Sequence, residues 1–552
     1  MAFIISRIYK IVIFFFALGS LLMGRLFYLQ IIENANLVRQ SLSMRMQEVP
    51  IEVTRGEIFD RTGLTLTDGN PYFTMVIFPQ QIKNLQIMTT QLGALTGLSA
   101  EKVYQEVHAH QQPFKLNIMI DAVMREKINN LKIPGVVVVA ERSRYGYHSL
   151  AAHVTGYMNV ADNQGVSGIE GMYDDVLRGG HAEYATALVD AGRKIIPGLG
   201  YKRVQLAGGS GPSHVVLTLD RSIQKNVESV MDRHGINGAV VVLRLTTGEI
   251  LAMASRPSFD GNHLSEYLLR DTAPLVNRAV SAYQPGSVFK LVTAAAALES
   301  GVVSPEDVFF DPGYIEVNHL RFNGWDHEKG GRGRLTFTEA LAYSSNPIFI
   351  EVGLQVGAEK IISYAKKLGF SYKTQLDFTG EASGNLPELE DIYPGELANL
   401  AIGQGKLEAT PLQIASLVGT IANDGIKVDP YLVSKITKSN GVVVKSYTIA
   451  PGTRVLSKKT ARQLQDMMSA VTEFGTGQTG YVDGFGSAGK TGSAETGRQN
   501  SAGQGISHAW FAGYGPLKNP QYVVVVFIED GMSGGDAAAP IFSEILRGIL
   551  EK

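Results

Sequence analysis

An apolar, uncharged run from Ile11 to Gly24 stands between Arg7 and Lys10 on one side and Arg25 on the other, and it constrains this chain more than any other feature. In hydrocarbon every backbone N–H and C=O must be satisfied within the segment, so a single run of this kind spans a membrane only as a helix. Those residues alone rise about 21 Å, short of the roughly 30 Å of a hydrocarbon core. Apolar character resumes from Leu26 to Ile32, so the span is read over about Ile8 to Leu29 and contains Arg25. In the simpler reading Arg25 snorkels to the interface; in the sharper one it faces a polar patch on a partner membrane helix. A cleavable signal peptide is the rival for this segment. The small residues Ala17, Gly19 and Ser20 lie inside the apolar run and not after it, which favours an uncleaved anchor. Flanking charge does not orient the span, because Arg7 and Lys10 precede it while Arg39 and Arg45 follow.

Beyond the anchor, a length of 552 residues suggests two to four folding units. With 45% hydrophobic and 18% charged residues, sizeable cores form and wholesale disorder is excluded. Fifty lysines and arginines stand against 52 acidic residues, a net charge of −2, without the basic excess expected of a nucleic-acid binder. There is no cysteine. Disulfides, thiolate metal sites, iron–sulfur clusters and cysteine nucleophiles are therefore excluded, and a nucleophile must be an oxygen, a nitrogen or a carboxylate.

The organisation shifts along the chain. Glu33 to Glu48 reads as a polar helical stalk, and Val49 to about Tyr201 as short strands mixed with one or two helices, including a strand over Tyr72 to Phe78 and a helix over Ala122 to Leu131. Leu206 to Ser213 has the composition of a linker. The second half is more regular. His214 to Leu219 reads as a strand, Arg221 to Arg233 as a helix capped by Asp220, and Ala239 to Leu245 with Glu249 to Ser255 as a hairpin. Helix patterns follow over Ser287 to Leu298 and Thr336 to Val356, with an all-helical middle expected. Late strands are expected over Ser487 to Ala494, His508 to Tyr514 and Tyr522 to Glu529, and helices over Lys458 to Glu473 and Ala539 to Leu550. This pattern suggests an antiparallel sheet flanked by helices.

The pattern S-x-x-K begins at Ser99, Ser222, Ser287, Ser363 and Ser487, so by itself it discriminates little. Only Ser287 follows a Pro-Gly turn (Gln284-Pro285-Gly286) and opens a long apolar helix stopped by Gly301. A helix N-terminus favours an alkoxide or oxyanion. Lys290, three residues on, shares a face with Ser287. A serine hydroxyl needs a base, and a desolvated lysine near a second cation is neutral enough to serve. Alone, Ser287 would more often be a simple cap. The second element is Ser344-Ser345-Asn346 at the polar end of Leu335 to Tyr343, with Ser383-Gly384-Asn385 as a rival in a glycine-rich turn. Ser344 could relay a proton and Asn346 could hold a peptide carbonyl. The third element, Lys490-Thr491-Gly492 followed by Ser493, occurs once. Gly492 lets an extended substrate approach the strand backbone. Lys490, Thr491 and Ser493 suit a carboxylate, and a strand N–H supplies half of an oxyanion hole. The three elements occur in order, 57 and 146 residues apart, and together form the set of penicillin-binding proteins and β-lactamases.

At these residues the sequence resembles a class B penicillin-binding protein, a monofunctional peptidoglycan D,D-transpeptidase. The resemblance extends to Arg55-Gly56-Glu57-Ile58-Phe59-Asp60-Arg61, Gly168-Ile169-Glu170-Gly171, Tyr283 to Lys290, Gly380 to Pro387 (which assigns Ser383 to a family turn), Gly403 to Gln413 and His508 to Pro516. It implies an α+β fold: a C-terminal transpeptidase domain, an antiparallel sheet flanked by helices with a helical subdomain, behind a mixed N-terminal pedestal and one transmembrane helix. The implied boundaries are a cytoplasmic tail at 1–7, an anchor at 8–32, a dimerisation-type pedestal at 33–205, a linker at 206–213 and the transpeptidase domain at 214–552. The resemblance assigns Ser287 as acylated nucleophile, Lys290 as its base, Ser344 as proton shuttle and Asn346 as the donor-peptide clamp. Lys490, Thr491 and Ser493 would take the terminal carboxylate, with Gly492 among the substrate-binding residues and the N–H groups of Ser287 and Ser493 as oxyanion hole. No metal or cofactor is implied. The implied partners are peptidoglycan stem peptides, β-lactam antibiotics, the membrane and a polytopic glycan polymerase met through anchor and pedestal, with Arg25 a candidate contact; nucleic acid is not among them. The catalytic half would lie outside the cytoplasmic membrane. A β-lactamase or D,D-carboxypeptidase of the same superfamily is the runner-up; a β-lactamase needs a dedicated deacylating base, and the nearest look-alike, Glu396 with Asn399, does not fit in spacing or context. A non-catalytic β-lactam receptor comes after it. Pro347 stands directly behind Asn346, where a helix-compatible residue would be expected.

Overall fold

The computed structural model describes residues 2–34, 37, 46–53, 55–67, 69, 71–146, 149–159, 163–178, 182–190, 194–196, 200–205, 211–374, 376, 378–447, 450–500 and 503–551. Two compact units divide the chain: 1–54, 71–143 and 180–209 form one, and 55–70, 144–179 and 210–552 the other.

The first unit begins with helix α1 (Ala2–Phe27), which continues as a π-helical turn, Tyr28–Ile32. Arg7–Ile32 is long and apolar enough to cross a membrane, with none of its apolar surface covered, so it fits a membrane anchor. The expected stalk falls mostly outside the described residues, and Met46 to Glu48 belong instead to a strand, β1 (Met46–Val53). Strand β2 (Pro71–Ile77) is followed by α2 (Leu85–Thr96), α3 (Ala100–Ala109), β3 (Phe114–Ile120), α4 (Ala122–Asn130) and β4 (Val136–Arg142). These strands form an antiparallel sheet in the order β3-β2-β4. Met75 and Ile77 project from it onto Met88, Leu92, Val103 and Val107 of the two helices. Polar caps start each helix: Asn84, Ser99 and Asp121 accept from backbone N–H groups of the first turn. Ser99 is thus a cap, and its S-x-x-K pattern is a coincidence of helix initiation. Strand β1 pairs in a second sheet with β5 (Ala182–Leu188), which also pairs with β6 (Tyr201–Gln205). Most of the expected linker, 206–210, lies outside the described residues.

The second unit is built on one antiparallel sheet. Asp220 caps α5 (Arg221–Arg233), followed by the hairpin β7 (Gly238–Arg244) and β8 (Ile250–Arg256). Then come α6 (Lys290–Glu299), β9 (Val308–Asp311), β10 (Gly333–Thr336), α7 (Phe337–Ala342), α8 (Asn346–Val356), α9 (Pro411–Ala422) and α10 (Lys458–Glu473). Three long strands, β11 (Ala488–Gln499), β12 (Gly505–Gly515) and β13 (Tyr522–Ile528), precede the last helix, α11 (Ala539–Leu550). The sheet order is β8-β7-β13-β12-β11, so β11 is an edge strand.

Strand side chains alternate between two cores, because successive Cβ atoms point to opposite faces. Val241, Leu243, Val523 and Val525 pack with α6, α9 and α10. Val240, Val242, Val524 and Val526 pack on the other side with Ile223 and Val227 of α5 and Phe542 and Ile545 of α11. A sheet covered on both faces reads as continuous apolar strands, as Ala239 to Leu243 and Val523 to Phe527 do.

Two sequence expectations change. The middle is not all helical: β9 pairs with β10, and Tyr314–Val317 pairs with Leu320–Asn323 in a short hairpin turned by Asn318 and His319, both at positive φ. The expected helix from Thr336 to Val356 is two helices, broken where Ser344 adopts φ +57. Thr336 and Glu339 close a capping box on the first, and Ser345 caps the second through Ile348 N–H. Pro347 sits in the first turn of α8, where its missing N–H costs nothing.

Segments 55–70 and 144–179 join the core of this unit through Ile58, Leu66, Val154, Ile169 and Leu177. Arg55 Nε donates to Glu170 at 2.6 Å and its Nη1 to Asp174 at 2.8 Å, while Arg144 Nε donates to the other Glu170 oxygen at 2.6 Å. Glu170 is fully buried, and the bidentate pairing explains why the two motif runs carry those charges.

Candidate active site

Gly286–Phe289 forms one 3₁₀ turn that runs into α6. It places Ser287, half-buried, at the helix tip and Lys290 inside the core. Two glycines allow this turn to press against its neighbours. Gly286 has φ +54, and a Cβ there would lie 2.6 Å from the Ser493 carbonyl of β11. Gly403 has φ +77, and a Cβ there would lie 2.0 Å from the Gly286 carbonyl. The same approach forms the bond from Gly286 N–H to Gly403 O at 3.0 Å. Gln404 Nε2 donates to Ser493 O at 3.3 Å, and Trp510 Nε1 donates to Gln284 O at 3.0 Å. The Ser287 turn and the edge strand are thereby stitched together.

Lys290 Nζ donates to Ser344 O and to Asn346 Oδ1, both at 2.7 Å, and lies 3.3 Å from Ser344 Oγ. The left-handed Ser344 turns its carbonyl out of helical pairing and toward the ammonium. Lys490 Nζ donates to Ser344 Oγ at 3.0 Å and to Thr491 O at 3.0 Å, with Thr491 Oγ1 at 3.4 Å. Both lysines are wholly buried. Burial, then the nearby Lys490 cation, hold the Lys290 ammonium well below the usual lysine range, against the opposing pull of Asp311 and Asp326. Burial lowers Lys490 to about 7. A neutral Lys290 has two N–H donors and one lone pair. The two 2.7 Å contacts use both donors, leaving the lone pair to accept a proton.

The carboxylate-binding candidates lie along β11. Gly492 is buried, and a Cβ there would lie 2.9 Å from Pro285 O and from Val288 Cγ2. Ser493 is exposed, and its hydroxyl accepts from Gly534 N–H at 3.3 Å. Thr491 Oγ1 shares a 2.6 Å hydrogen bond with Thr476 Oγ1. Lys490 is buried behind Thr491 with its donors occupied.

The cleft thus brings Lys290, Ser344, Asn346, Lys490 and Thr491 into one hydrogen-bonded set, with Ser287 one helical turn from Lys290 and Ser493 beside Gly286. The other S-x-x-K serines have local structural work: Ser222 starts α5 beside Asp220, Ser363 lies within the helix Ala358–Lys367, and Ser487 is buried, donating to Gly480 O. The rival Asn385 pairs its backbone with Glu408 and donates its amide to Lys406 O. Tyr393 OH donates to Glu396 on the surface at 3.3 Å. Among the described residues no group of three His, Cys, Asp or Glu side chains is arranged to hold a metal ion.

Sequence reasoning passed over Thr476 and Asp311. Thr476 lies just past α10, in Gly475-Thr476-Gly477, and nothing in its spacing marks it. Asp311 ends a strand in the segment read as helical. Its carboxylate accepts from Ser345 Oγ at 2.6 Å and from Gly313 N–H at 2.8 Å.

Comparison with known proteins follows the same outline. A family model described as penicillin binding protein transpeptidase domain matches residues 238–547, and one described as penicillin-binding protein dimerisation domain matches 50–198. Among curated relatives, Stage V sporulation protein D of Bacillus subtilis is 33% identical over 95% of this chain and 82% of its own length. Peptidoglycan D,D-transpeptidase MrdA of Escherichia coli is 27% identical over 97% of this chain and 92% of its own. Among solved structures, the D,D-transpeptidase domain of a peptidoglycan glycosyltransferase from Eggerthella lenta superposes with a TM-score of 0.66 at 27% identity, covering 90% of this chain and 98% of that one.

Proposed function

This chain belongs to the penicillin-binding transpeptidases, and on that premise we propose that it is a peptidoglycan D,D-transpeptidase working through a serine acyl-enzyme. The observation that carries the reading is the Ser344 hydroxyl held between two buried lysines, 3.3 Å from Lys290 and 3.0 Å from Lys490, with Ser287 one turn away.

The donor is a stem peptide ending in D-Ala-D-Ala, laid along the free edge of β11. Its terminal carboxylate meets the Thr491 and Ser493 hydroxyls with the Lys490 charge behind them, and Asn346 holds a peptide carbonyl. Ser287 Oγ attacks the penultimate carbonyl as neutral Lys290 takes its proton. The backbone N–H groups of Ser287 and Ser493 receive the oxyanion, and Gly492, lacking a Cβ, lets β11 close against the Ser287 turn. Ser344, bonded to both lysines, passes a proton to the departing D-alanine amine. An amine of a neighbouring stem then attacks the acyl-enzyme and restores Ser287. A β-lactam presents the same carbonyl and carboxylate and acylates Ser287.

The dimerisation-domain match over 50–198 supports the pedestal reading of 33–205, of which 55–70 and 144–179 pack into the catalytic unit, with 206–213 as linker and 214–552 as the transpeptidase domain. The apolar helix supports a single-pass anchor at 8–32, and membership of the family supports 1–7 as cytoplasmic and the catalytic unit as lying on the outer face of the cytoplasmic membrane. There it works beside a polytopic glycan polymerase, with Arg25 in the membrane helix as a contact.

The test is mass spectrometry of the penicillin adduct together with its lifetime. The adduct is expected on Ser287, absent from Ser287→Ala and Lys290→Ala, and persisting for many minutes. Labelling retained in Ser287→Ala sinks the site assignment, and hydrolysis within seconds moves the protein to the β-lactamases.

A further inference from the structure

The cleft set leaves one buried charge without a role. Asp311, at the end of β9, is 1% exposed, and no lysine or arginine pairs with it among the ion pairs of the described residues. Its partners are the Ser345 hydroxyl at 2.6 Å and the Gly313 N–H at 2.8 Å. Ser345 is the middle residue of the turn whose flanks, Ser344 and Asn346, supply the two acceptors that hold Lys290 at 2.7 Å. Ser345 is itself buried, and its oxygen accepts from Ile348 N–H as the cap of α8. A non-glycine residue at φ +57 costs about 1–2 kcal/mol and persists only where its surroundings over-determine it.

We propose that Asp311 is a positioning residue of the cleft: by gripping Ser345 it locks the Ser344-Ser345-Asn346 turn in its left-handed form and so fixes the acceptors that aim Lys290 at Ser287. The inference rests on the transpeptidase reading and extends it to a residue that touches no substrate.

The charge of Asp311 has a second consequence. The groups facing Lys290 are Lys490 from β11, Asp311 from β9, Asp326 from the segment before β10, and the Phe349 ring of α8. Asp326 is already paired with Arg332 at 2.7 Å. Asp311 is thus the buried carboxylate left to balance the two lysines, and one negative charge balances one proton on the pair. It favours protonated Lys290, so the acid limb of acylation stands at a higher pH with Asp311 ionised than without it.

The test uses the full chain in detergent, with fluorescent penicillin as probe, measuring acylation rate from pH 5 to 9 beside the melting temperature. Asp311→Asn keeps the shape and removes the charge; Ser345→Ala keeps the charge and removes the grip. Asp311→Asn is expected to label at least about 10-fold more slowly on the plateau, with its acid limb moved to lower pH. Ser345→Ala is expected to lose about 100-fold with the limb unmoved. A role confined to folding lowers the melting temperature without moving the limb, and that result overturns the proposal. Wild-type plateau labelling in Ser345→Ala overturns it too, and applies even where Asp311→Asn does not fold. A wild-type chain that takes no label overturns the transpeptidase reading and this inference together, whereas normal wild-type labelling with both variants unchanged strikes Asp311 alone.

Discussion

The Ser344 hydroxyl accepts a hydrogen bond from Lys490 at 3.0 Å across a span of 146 residues, while its own carbonyl takes Lys290 at 2.7 Å. Two buried ammonium groups thus meet at one serine. Ser344→Ala removes the bridge and, in the proposed mechanism, the proton path with it. Penicillin acylation should fall by about 100-fold or more with only a modest change in melting temperature. Near-normal acylation would assign the proton path elsewhere.

The same pair sets a pH dependence. In the proposed mechanism Lys290, depressed by burial and by Lys490, must be neutral to accept the Ser287 proton, so acylation should rise from acid pH as it deprotonates. Lys490, lowered by burial to about 7, loses its charge as pH climbs through that value, and the pull on a substrate carboxylate goes with it. A bell-shaped rate profile is expected, its alkaline limb near about 7 and belonging to the coupled pair. A rate that stays flat from pH 7 to 9 contradicts it.

Gly403→Ala should be damaging although residue 403 carries no chemistry. The added Cβ meets the Gly286 carbonyl at 2.0 Å, and the backbone stands at φ +77. Neither conflict is relieved by moving a side chain. Destabilisation of about 3 kcal/mol and loss of labelling are expected, read by thermal unfolding and penicillin binding.

Charge pairs should separate by burial. Arg55→Ala leaves Glu170 buried with half its partners and should cost about 3–5 kcal/mol. Arg61→Ala breaks a partly exposed 3.3 Å contact with Glu249 and should cost less than about 1 kcal/mol. Equal losses in chemical denaturation would contradict the assignment.

His153 supplies an acid-sensitive element. It is buried, its Nε2 donates to Pro274 O at 2.8 Å, and desolvation lowers its pKa to about 4. The unfolded chain binds the proton first, so the stabilisation is complete above about pH 6.5 and is lost as pH falls toward 4. His153→Gln should reduce the stability lost between pH 7 and 4 by about 3 kcal/mol, measured by denaturation at both pH values.

What sequence alone determined was what local chemistry writes down. Asp220 as the cap of α5, the bounds of α10 and α11 and the apolar runs of β7 and β13 follow from short-range rules of capping, periodicity and burial, which act within a few residues. The Ser287, Ser344 and Lys490 motifs were legible as a set because their order is linear information. Tertiary structure decided the rest. The left-handed turn at Ser344 overrides a helix pattern that Thr336 to Val356 satisfies, because bonds from Ser344 to Lys290 and Lys490 and from Ser345 to Asp311 outweigh one interrupted helical turn. Thr476 and Asp311 enter the cleft only when the end of α10 and the end of β9 reach Thr491 and Ser345. The lowered lysine affinities likewise belong to no single segment: they arise where burial removes water from two cations that the chain keeps 200 residues apart.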